Sequence, residues 1–193
     1  MDKIYRRLYE NDSPEQIAKL IYLTDLYIYE SLFSSFDDKL WIEIIKEEIN
    51  DKNSIFYKDN LYVCDVDGVV AGLLCACDNG KEYTFAPEHN NLDFTLVKEK
   101  YFIPLFEDIK SLTGSTFVHL CVDTNYRKQG IGRSLFEYYF NNISSNDITL
   151  DVLDENKNAI KMYESLGFES NNSYYGFGGK EKEDLLVVTM HKK

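Results

Sequence analysis

A glycine-containing turn between a buried strand and an amphipathic helix places the strongest constraint on the fold of this chain. Residues 115–123 read "STFVHLCVD" and are predicted to form a short buried strand. The glycines at 130 and 132 follow, and then a segment rich in aromatic residues that is predicted to be helical. A helix N-terminus leaves backbone N–H groups unpaired and carries partial positive charge, so this junction suits an anion such as phosphate.

The spacing of the two glycines excludes two common nucleotide-binding loops. A Walker A loop has four residues between its glycines and ends in Gly-Lys-Ser/Thr, whereas Gly130 and Gly132 are separated by one residue. A dinucleotide G-x-G-x-x-G would need a glycine where Leu135 stands. There remains a loop whose glycines let a ligand approach the backbone and whose Arg127 can add a charge-assisted contact. An ordinary connecting loop is the alternative.

Composition narrows the class of protein. A length of 193 residues predicts a single domain over 1–193, and a hydrophobic content of 44% is ordinary for a soluble globular protein. A formal net charge of −12 argues against nucleic-acid binding, because neutralising phosphates requires a basic face. The acidic surface favours solubility, or else a cationic substrate.

The cysteines, termini and apolar runs predict no metal, disulfide or membrane association. Cys64, Cys75, Cys77 and Cys121 all lie in apolar runs, and their spacing does not fit a zinc site, so we expect reduced, packed thiols. No run approaches the roughly 20 apolar residues of a membrane span, and no signal peptide opens the chain. We therefore expect a cytoplasmic protein.

Local patterns predict a mixed α+β domain (α/β with a mixed sheet). A capping residue and Pro14 begin a helix after a first strand over 3–12, and Asp67-Gly68 is typical of a β-hairpin turn. Residues 82–113 are acidic and aromatic; we predict a helix with a break at Pro104 and a lid or pocket wall. A second helix is predicted with Leu40, Trp41, Ile44 and Ile45 facing inward, and a later helix is predicted to end at Gly167. Three further strands are predicted over 147–154, 168–179 and 184–192.

Two motifs resemble those of the GNAT superfamily of N-acetyltransferases. Arg127-x-x-Gly130-x-Gly132, after a strand ending in Leu120-Cys121-Val122, resembles its pyrophosphate-binding motif. Downstream, "LDVLDENKNAIKMYESLGFE" resembles its second signature, with Asn156, Ala159, Tyr163 and Gly167-Phe168. The resemblance is strongest over about 113–170. Residues 1–112 fit the layout more loosely, as an N-terminal strand, helices, a hairpin and a variable acceptor-side segment.

The resemblance implies a GNAT-like acyl-CoA N-acyltransferase fold, with a central, mostly antiparallel sheet whose splayed central strands are flanked by helices. It implies acetyl-CoA as co-substrate between those strands, and no metal. Backbone groups of Leu120, Cys121 and Val122 would hold the pantetheine arm, and an N–H near Cys121 or Val122 would polarise the thioester carbonyl. Asn156 would contact the pantetheine or thioester. The phosphates would rest on Arg127, Lys128, Gln129, Gly130, Ile131 and Gly132.

The same resemblance suggests two catalytic residues. Tyr163 matches the family's general acid, although tyrosines at such helical positions are mostly core residues. Asp151 is a candidate base, acting through water. The alternative is a strand-end aspartate that points to solvent, with ordered water as the base. Counting by twos from Val122 puts Leu120, Val118 and Thr116 on one face of the strand and His119 on the other, so we expect His119 to be packed rather than catalytic.

The acceptor is expected to be a primary amine of a small molecule or peptide. Tyr27, Tyr29 and Phe33 occupy the region that shapes the acceptor pocket in relatives, and acids with aromatics could hold a cationic amine. The run over 174–179 has two possible interpretations, a hairpin that borders the acceptor cleft or a homodimer contact. Two alternatives to an enzyme remain at this stage: a non-catalytic acyl-CoA-binding module and a nucleotide-binding regulatory domain, which the failed motifs disfavour.

Overall fold

A computed structural model describes residues 2–24, 38–84, 99, 102–143, 147–176 and 185–193. Its strands are β1 (Lys3–Arg7), β2 (Leu61–Val66), β3 (Val69–Asp78), β4 (Ser115–Val122), β5 (Ile148–Leu153), β6 (Glu169–Gly176) and β7 (Leu185–Lys192). Its α-helices are α1 (Pro14–Thr24), α2 (Asp38–Asn50), α3 (Ile103–Ser111), α4 (Ile131–Asn142) and α5 (Lys157–Ser165).

The strands form one seven-stranded sheet in the order β1-β2-β3-β4-β5-β7-β6. β4 and β5 run parallel, and the other neighbouring pairs run antiparallel. The predicted mixed, mostly antiparallel sheet is therefore confirmed. None of the helices in the described ranges is long and apolar enough to cross a membrane.

Two apolar clusters cover the two faces of this sheet. On one face, α1 and α2 pack through Ile17, Ile21, Ile44 and Ile45, which are fully buried. On the other face, α4 contributes Phe136 and Tyr139 and α5 contributes Tyr163 to a second apolar cluster. These rings share the cluster with Phe117 of β4. Because apolar side chains on both faces leave water, the sheet is held as the middle layer of the domain.

Local turn chemistry explains several element boundaries. Asp67 and Gly68, between β2 and β3, both have positive φ, 53° and 84°, as a two-residue type I′ hairpin requires. The Ser13 hydroxyl accepts a hydrogen bond from the Gln16 N–H at 3.4 Å, capping α1 just before Pro14. The predicted hairpin and the predicted helix start are both confirmed.

β4 and β5 pair over only part of their length. The parallel register joins Ser115, Thr116 and Phe117 to Ile148, Thr149 and Leu150, and beyond these residues the two strands no longer pair. We call residues 113–117 with 147–150 the paired end. The open end comprises 118–122 of β4, 151–153 of β5 and the loop over 127–133. The predicted splaying of the central strands is confirmed.

Close packing and hydrogen bonds stabilise the paired end. Gly114 has a φ of 79°, and a Cβ on it would lie 1.9 Å from the Asp147 carbonyl oxygen. The Ser115 N–H donates to that same oxygen at 2.9 Å. The Asp147 carboxylate is hydrogen-bonded by the Thr113 hydroxyl and by Nε2 of His191 on β7. Three segments are therefore tied together where β4 and β5 begin.

Some sequence predictions are wrong or incomplete. The first strand ends at Arg7 rather than at Asp12, and Pro104 lies in the first turn of α3, where it begins the helix instead of breaking it. Val118 has no partner in the β3–β4 register, and this bulge moves its side chain to the cluster on the α1 side. The prediction that Val118 shares a face with Leu120 is therefore wrong. The side chains of Tyr27, Tyr29, Phe33, Leu40 and Trp41 lie outside what the structure describes, and so does half of the predicted lid, residues 85–98, 100 and 101.

Candidate active site

The loop before α4 adopts a conformation that its sequence makes possible. Asp123 caps a 3₁₀ turn (Thr124–Tyr126) by accepting the Asn125 N–H at 2.9 Å. Lys128 then has a φ of 61° and Gly130 a φ of 79°, before α4 begins at Ile131. A left-handed residue directly before a helix favours glycine, and Gly130 has open space around its missing Cβ. The loop therefore turns sharply and presents its backbone on the surface.

This loop carries a row of unpaired backbone donors. Within the described part of the chain, no hydrogen bond uses the backbone N–H of any residue from 127 to 133, whereas the Ser134 N–H donates to the Gly130 carbonyl at 3.0 Å. Seven successive N–H groups without a partner among the described residues, ending at a helix N-terminus, are a source of positive potential. Such an arrangement suits the several oxygens of a phosphate or pyrophosphate.

Gly132 is the point where the loop, β4 and α5 meet. A Cβ on Gly132 would lie 3.6 Å from Cδ2 of Leu120, 3.8 Å from Cγ2 of Val122 and 3.8 Å from Sδ of Met162. These are ordinary contacts, so the packing of the protein itself does not require glycine at 132. The structure thus brings Leu120, Val122 and Gly132 together.

Gly72, on β3, is a structural residue of the site that the sequence reasoning missed. A Cβ on Gly72 would lie 2.7 Å from Cγ2 of Ile131 and 3.3 Å from Cδ1 of Leu135. The N-terminal turn of α4 therefore lies directly on β3 at this position. A glycine inside an apolar strand often marks such an approach, so "VVAGLLCACD" did contain a signal.

The backbone of β4 is directed into the open end at alternate residues. The Asp123 N–H donates to the Ala71 carbonyl of β3 at 2.9 Å, so the backbone groups of Val122, and of Leu120 before it, point to the opposite edge. Nε of Arg127 donates to the Val122 carbonyl at 3.1 Å, which is consistent with this direction. By the same alternation, Cys121 directs its backbone toward β3.

Asn156 and Tyr163 lie on either end of α5. Asn156 is the N-cap of this helix, where Oδ1 accepts the Ala159 N–H at 3.2 Å and the side-chain NH₂ group keeps its two donors. The ring of Tyr163 is buried, 5.5 Å from the Phe136 ring and 6.0 Å from the Phe168 ring. Burial alone raises the pKa of Tyr163 to about 12. This phenol therefore stays protonated throughout the neutral range.

Asp151 is held between three strands. Its Oδ2 accepts a hydrogen bond from the Tyr174 hydroxyl of β6, and its Oδ1 accepts one from the Thr189 hydroxyl of β7, both at 2.7 Å. Burial, and then the negative charge of Asp151, raise the pKa of Tyr174 and also that of the Asp108 carboxyl on α3. Two hydroxyls thus orient the Asp151 carboxylate, and the residue itself is exposed. Its role as a base stays a prediction.

Asp151 and Tyr163 approach the open end from different sides of the sheet. Leu150 and Val152 belong to the same apolar cluster as Tyr163, and Asp151 lies between them on β5 and so faces the other way. The two candidate catalytic residues do not share one face.

His119 is packed, as predicted. Its side chain is buried, and its ring stacks on that of Phe56 with centroids 5.3 Å apart. Phe56 belongs to the cluster on the α1 side, whereas Leu120 and Val122 belong to the cluster on the α4 side. Among the residues that the structure describes, no group of three His, Cys, Asp or Glu side chains could hold a metal ion.

A gap between two diverging parallel strands, ending at a helix N-terminus with unpaired N–H groups, is suited to an extended ligand with phosphates at one end. Comparison with known proteins agrees with this geometry. The family model described as acetyltransferase (GNAT) domain matches residues 57–170, which is more than half of the chain. The chain belongs to this family, as the motifs suggested.

Individual relatives are more distant. The ribosomal protein bS18-alanine N-acetyltransferase of Escherichia coli (strain K12) is 34% identical over 86 residues, which cover 41% of this chain and 57% of that enzyme. The match thus spans little more than half the length of this relative.

Solved structures agree in fold over almost the whole chain. An N-acetyltransferase from Staphylococcus aureus Mu50 has a TM-score of 0.72 and 17% identity, with 97% of this chain and 99% of that chain covered. The diaminobutyrate acetyltransferase of Paenibacillus lautus, solved with its substrate and coenzyme A, has a TM-score of 0.56 and 16% identity, with 99% and 95% covered.

Proposed function

We propose that this protein is an acetyl-CoA-dependent N-acetyltransferase that modifies a primary amine of a small molecule or peptide. The row of unpaired N–H groups over 127–133, placed at the end of the β4–β5 gap, carries this proposal. It fits the pyrophosphate of CoA, because a pyrophosphate offers several charged oxygens to donors spaced along a backbone. Membership of the acetyltransferase (GNAT) family supports the same ligand.

The open end would receive the rest of the donor molecule. Acetyl-CoA would supply an acetyl thioester that a neutral amine attacks directly, giving an amide and free CoA. Backbone groups of Leu120 and Val122 point into the gap. They would form hydrogen bonds with the pantetheine arm of the kind that they would otherwise form with a neighbouring strand. The Val122 N–H is better directed than that of Cys121 to stabilise negative charge on the thioester oxygen.

Tyr163 would hold a proton close to the departing sulfur. A pKa of about 12 keeps the phenol protonated, and it also makes Tyr163 a weaker acid than an ordinary tyrosine. We therefore infer that a hydrogen bond from Tyr163 stabilises the departing thiolate as much as complete transfer of the proton would. Asn156, whose NH₂ group remains available at the start of α5, would contact the pantetheine or the thioester end.

Asp151 would accept a proton from the attacking amine through a water molecule. The Tyr174 and Thr189 hydroxyls fix the orientation of its carboxylate while leaving lone pairs on both oxygens. The acceptor would then approach from the Asp151 side of the sheet, opposite α4 and α5. The negative charges of Asp151 and Asp108 on this side favour a cationic amine over an anionic one.

Two assays test the proposal in sequence. In a thermal-shift assay, acetyl-CoA should raise the Tm while ATP and NAD should not. Thiol release from acetyl-CoA should then be measured with polyamines, aminoglycosides, amino acids including 2,4-diaminobutyrate, and peptides with a free N-terminal alanine. Thiol release above background hydrolysis with one class identifies the acceptor. Binding without release for every amine would favour the non-catalytic acyl-CoA-binding module, and absence of binding would contradict both.

A further inference from the structure

Lys3, at the start of the edge strand β1, contacts the loop that precedes α4. Its Nζ donates a hydrogen bond to the backbone carbonyl of Gln129 at 2.8 Å, across 126 positions of sequence. The contact is possible because β1 lies at the edge of the sheet beside β2. Lys3 therefore reaches the unpaired donors over 127–133 from outside the sequence motif.

The charge of Lys3 is not compensated locally. Six other lysines form ion pairs with carboxylates at 2.5–2.8 Å: Lys19, Lys46, Lys58, Lys81, Lys110 and Lys157. In the described ranges, no carboxylate lies within ion-pair distance of Lys3, Arg127 or Lys128. Among the described residues, Lys3, Arg127 and Lys128 thus bring three positive charges without ion-pair partners to this loop, in a chain with a net charge of −12.

The hydrogen bond also bears on the direction of the loop donors. In a planar trans peptide the carbonyl of Gln129 and the N–H of Gly130 point in opposite directions. By binding the carbonyl oxygen on one side, Lys3 fixes this peptide plane and directs the Gly130 N–H to the other side. Because Gly130 adopts positive φ and has open space around it, this plane would otherwise turn more freely.

We propose that Lys3 is a positioning residue of the phosphate-binding loop and a source of positive charge for a ligand bearing a pyrophosphate. The inference rests on the proposed function and deepens it, because it adds to the donor site a residue more than a hundred positions before the motif. Lys3 acts through the Gln129–Gly130 peptide and through its long-range field. Both effects favour CoA over ligands without phosphates.

The test compares Lys3→Met, Lys3→Arg and the wild type, with Lys52→Met as the matched control. Lys52 is exposed in the turn after α2, a helix on the face of the sheet opposite α4. Calorimetry at low salt should show CoA affinity about tenfold weaker for Lys3→Met, the usual size of one lost charge-assisted contact. Lys3→Arg should retain most of the affinity, and Lys52→Met should match the wild type.

Salt dependence separates this role from a general effect on folding. The difference between Lys3→Met and the wild type should shrink at about 0.5 M NaCl, where charges a few ångström apart are screened. A deficit that persists unchanged with salt, together with a lower Tm, would show that Lys3 acts through the fold and would overturn the inference. Equal CoA affinity for wild type and Lys3→Met would overturn it as well, with the proposed function intact. If the wild type itself does not bind CoA, the proposed function fails first, and the inference with it.

Discussion

The paired end and the open end of the β4–β5 seam differ in what their backbones do. At the paired end, carbonyls and N–H groups bind one another so closely that Gly114 has no room for a Cβ against Asp147. At the open end, seven N–H groups of the loop have no protein partner within the described residues, and β4 no longer pairs with β5. The same two strands therefore stabilise the fold at one end and can bind a ligand at the other.

The first prediction concerns the paired end and has the largest expected effect. Gly114→Ala should lower the free energy of unfolding by about 4 kcal/mol, because a positive φ and a backbone clash both oppose the new Cβ. Gly80→Ala is the matched control, since Gly80 has nearly the same φ, 80°, but open space. It should cost about 1 kcal/mol. Urea denaturation measures both, and equal losses would contradict a locked paired end.

The second prediction concerns catalysis at the open end. Tyr163→Phe should lower kcat by about 100-fold and leave the Kd of acetyl-CoA within about twofold, because only the hydroxyl is removed from a buried ring. Since the Tyr163 pKa is about 12, its ionisation should not limit the wild-type rate between pH 7 and about pH 10. Stopped thiol-release assays and calorimetry test this. A collapse of affinity instead would make Tyr163 a packing residue.

The third prediction sharpens the contrast between the two glycine sites. Gly132→Ala should weaken CoA binding about tenfold without loss of stability, since a Cβ there meets neighbours at 3.6–3.8 Å yet lies where the ligand would approach. Asn141→Ala, at an exposed position near the other end of α4, should leave affinity unchanged. Unchanged affinity for Gly132→Ala would place the phosphates elsewhere.

The smallest effect is expected from a charge at the paired end. Hydrogen bonds from Thr113, and then from His191, lower the pKa of Asp147. Its contribution to stability is therefore present above the unfolded-state pKa of about 4 and is lost as pH falls through the lower folded-state value. Asp147→Asn should reduce the Tm by about 2 °C at pH 7 and by less at pH 3. Asp59→Asn, at an exposed position, serves as control, and a deficit that grows toward pH 3 would contradict this sign.

Features that depend on neighbouring residues could be predicted from the sequence, whereas features that depend on strand register could not. Local signals predicted the Asp67-Gly68 hairpin, the start of α1 and the strand–loop–helix unit around Gly130, because each depends on neighbouring residues. The bulge at Val118 depends on the register with β3 and could not be read from β4 alone. Counting by twos from Val122 assumes a strand without a bulge, and it therefore placed the Val118 side chain on the wrong face of the sheet.

The candidate site divides in the same way. Motif spacing indicated the loop, Asn156 and Tyr163 as candidate site residues, since all of them lie within about forty positions of one another. The Lys3–Gln129 hydrogen bond and the two hydroxyls on Asp151 join residues that are distant in sequence, and nothing local in the chain marks them. The two hydroxyls that orient Asp151 became evident only when β6 and β7 were placed beside β5.

Backbone NMR of the protein titrated with CoA tests the central claim most directly. Seven amide protons over 127–133, with that of Val122, should show the largest chemical-shift changes, because they would become the donors to the pyrophosphate and the pantetheine arm. The amides over 113–117 at the paired end should change little. Saturable changes of this pattern are the predicted result, and changes centred on the paired end, or none in the loop, would contradict it.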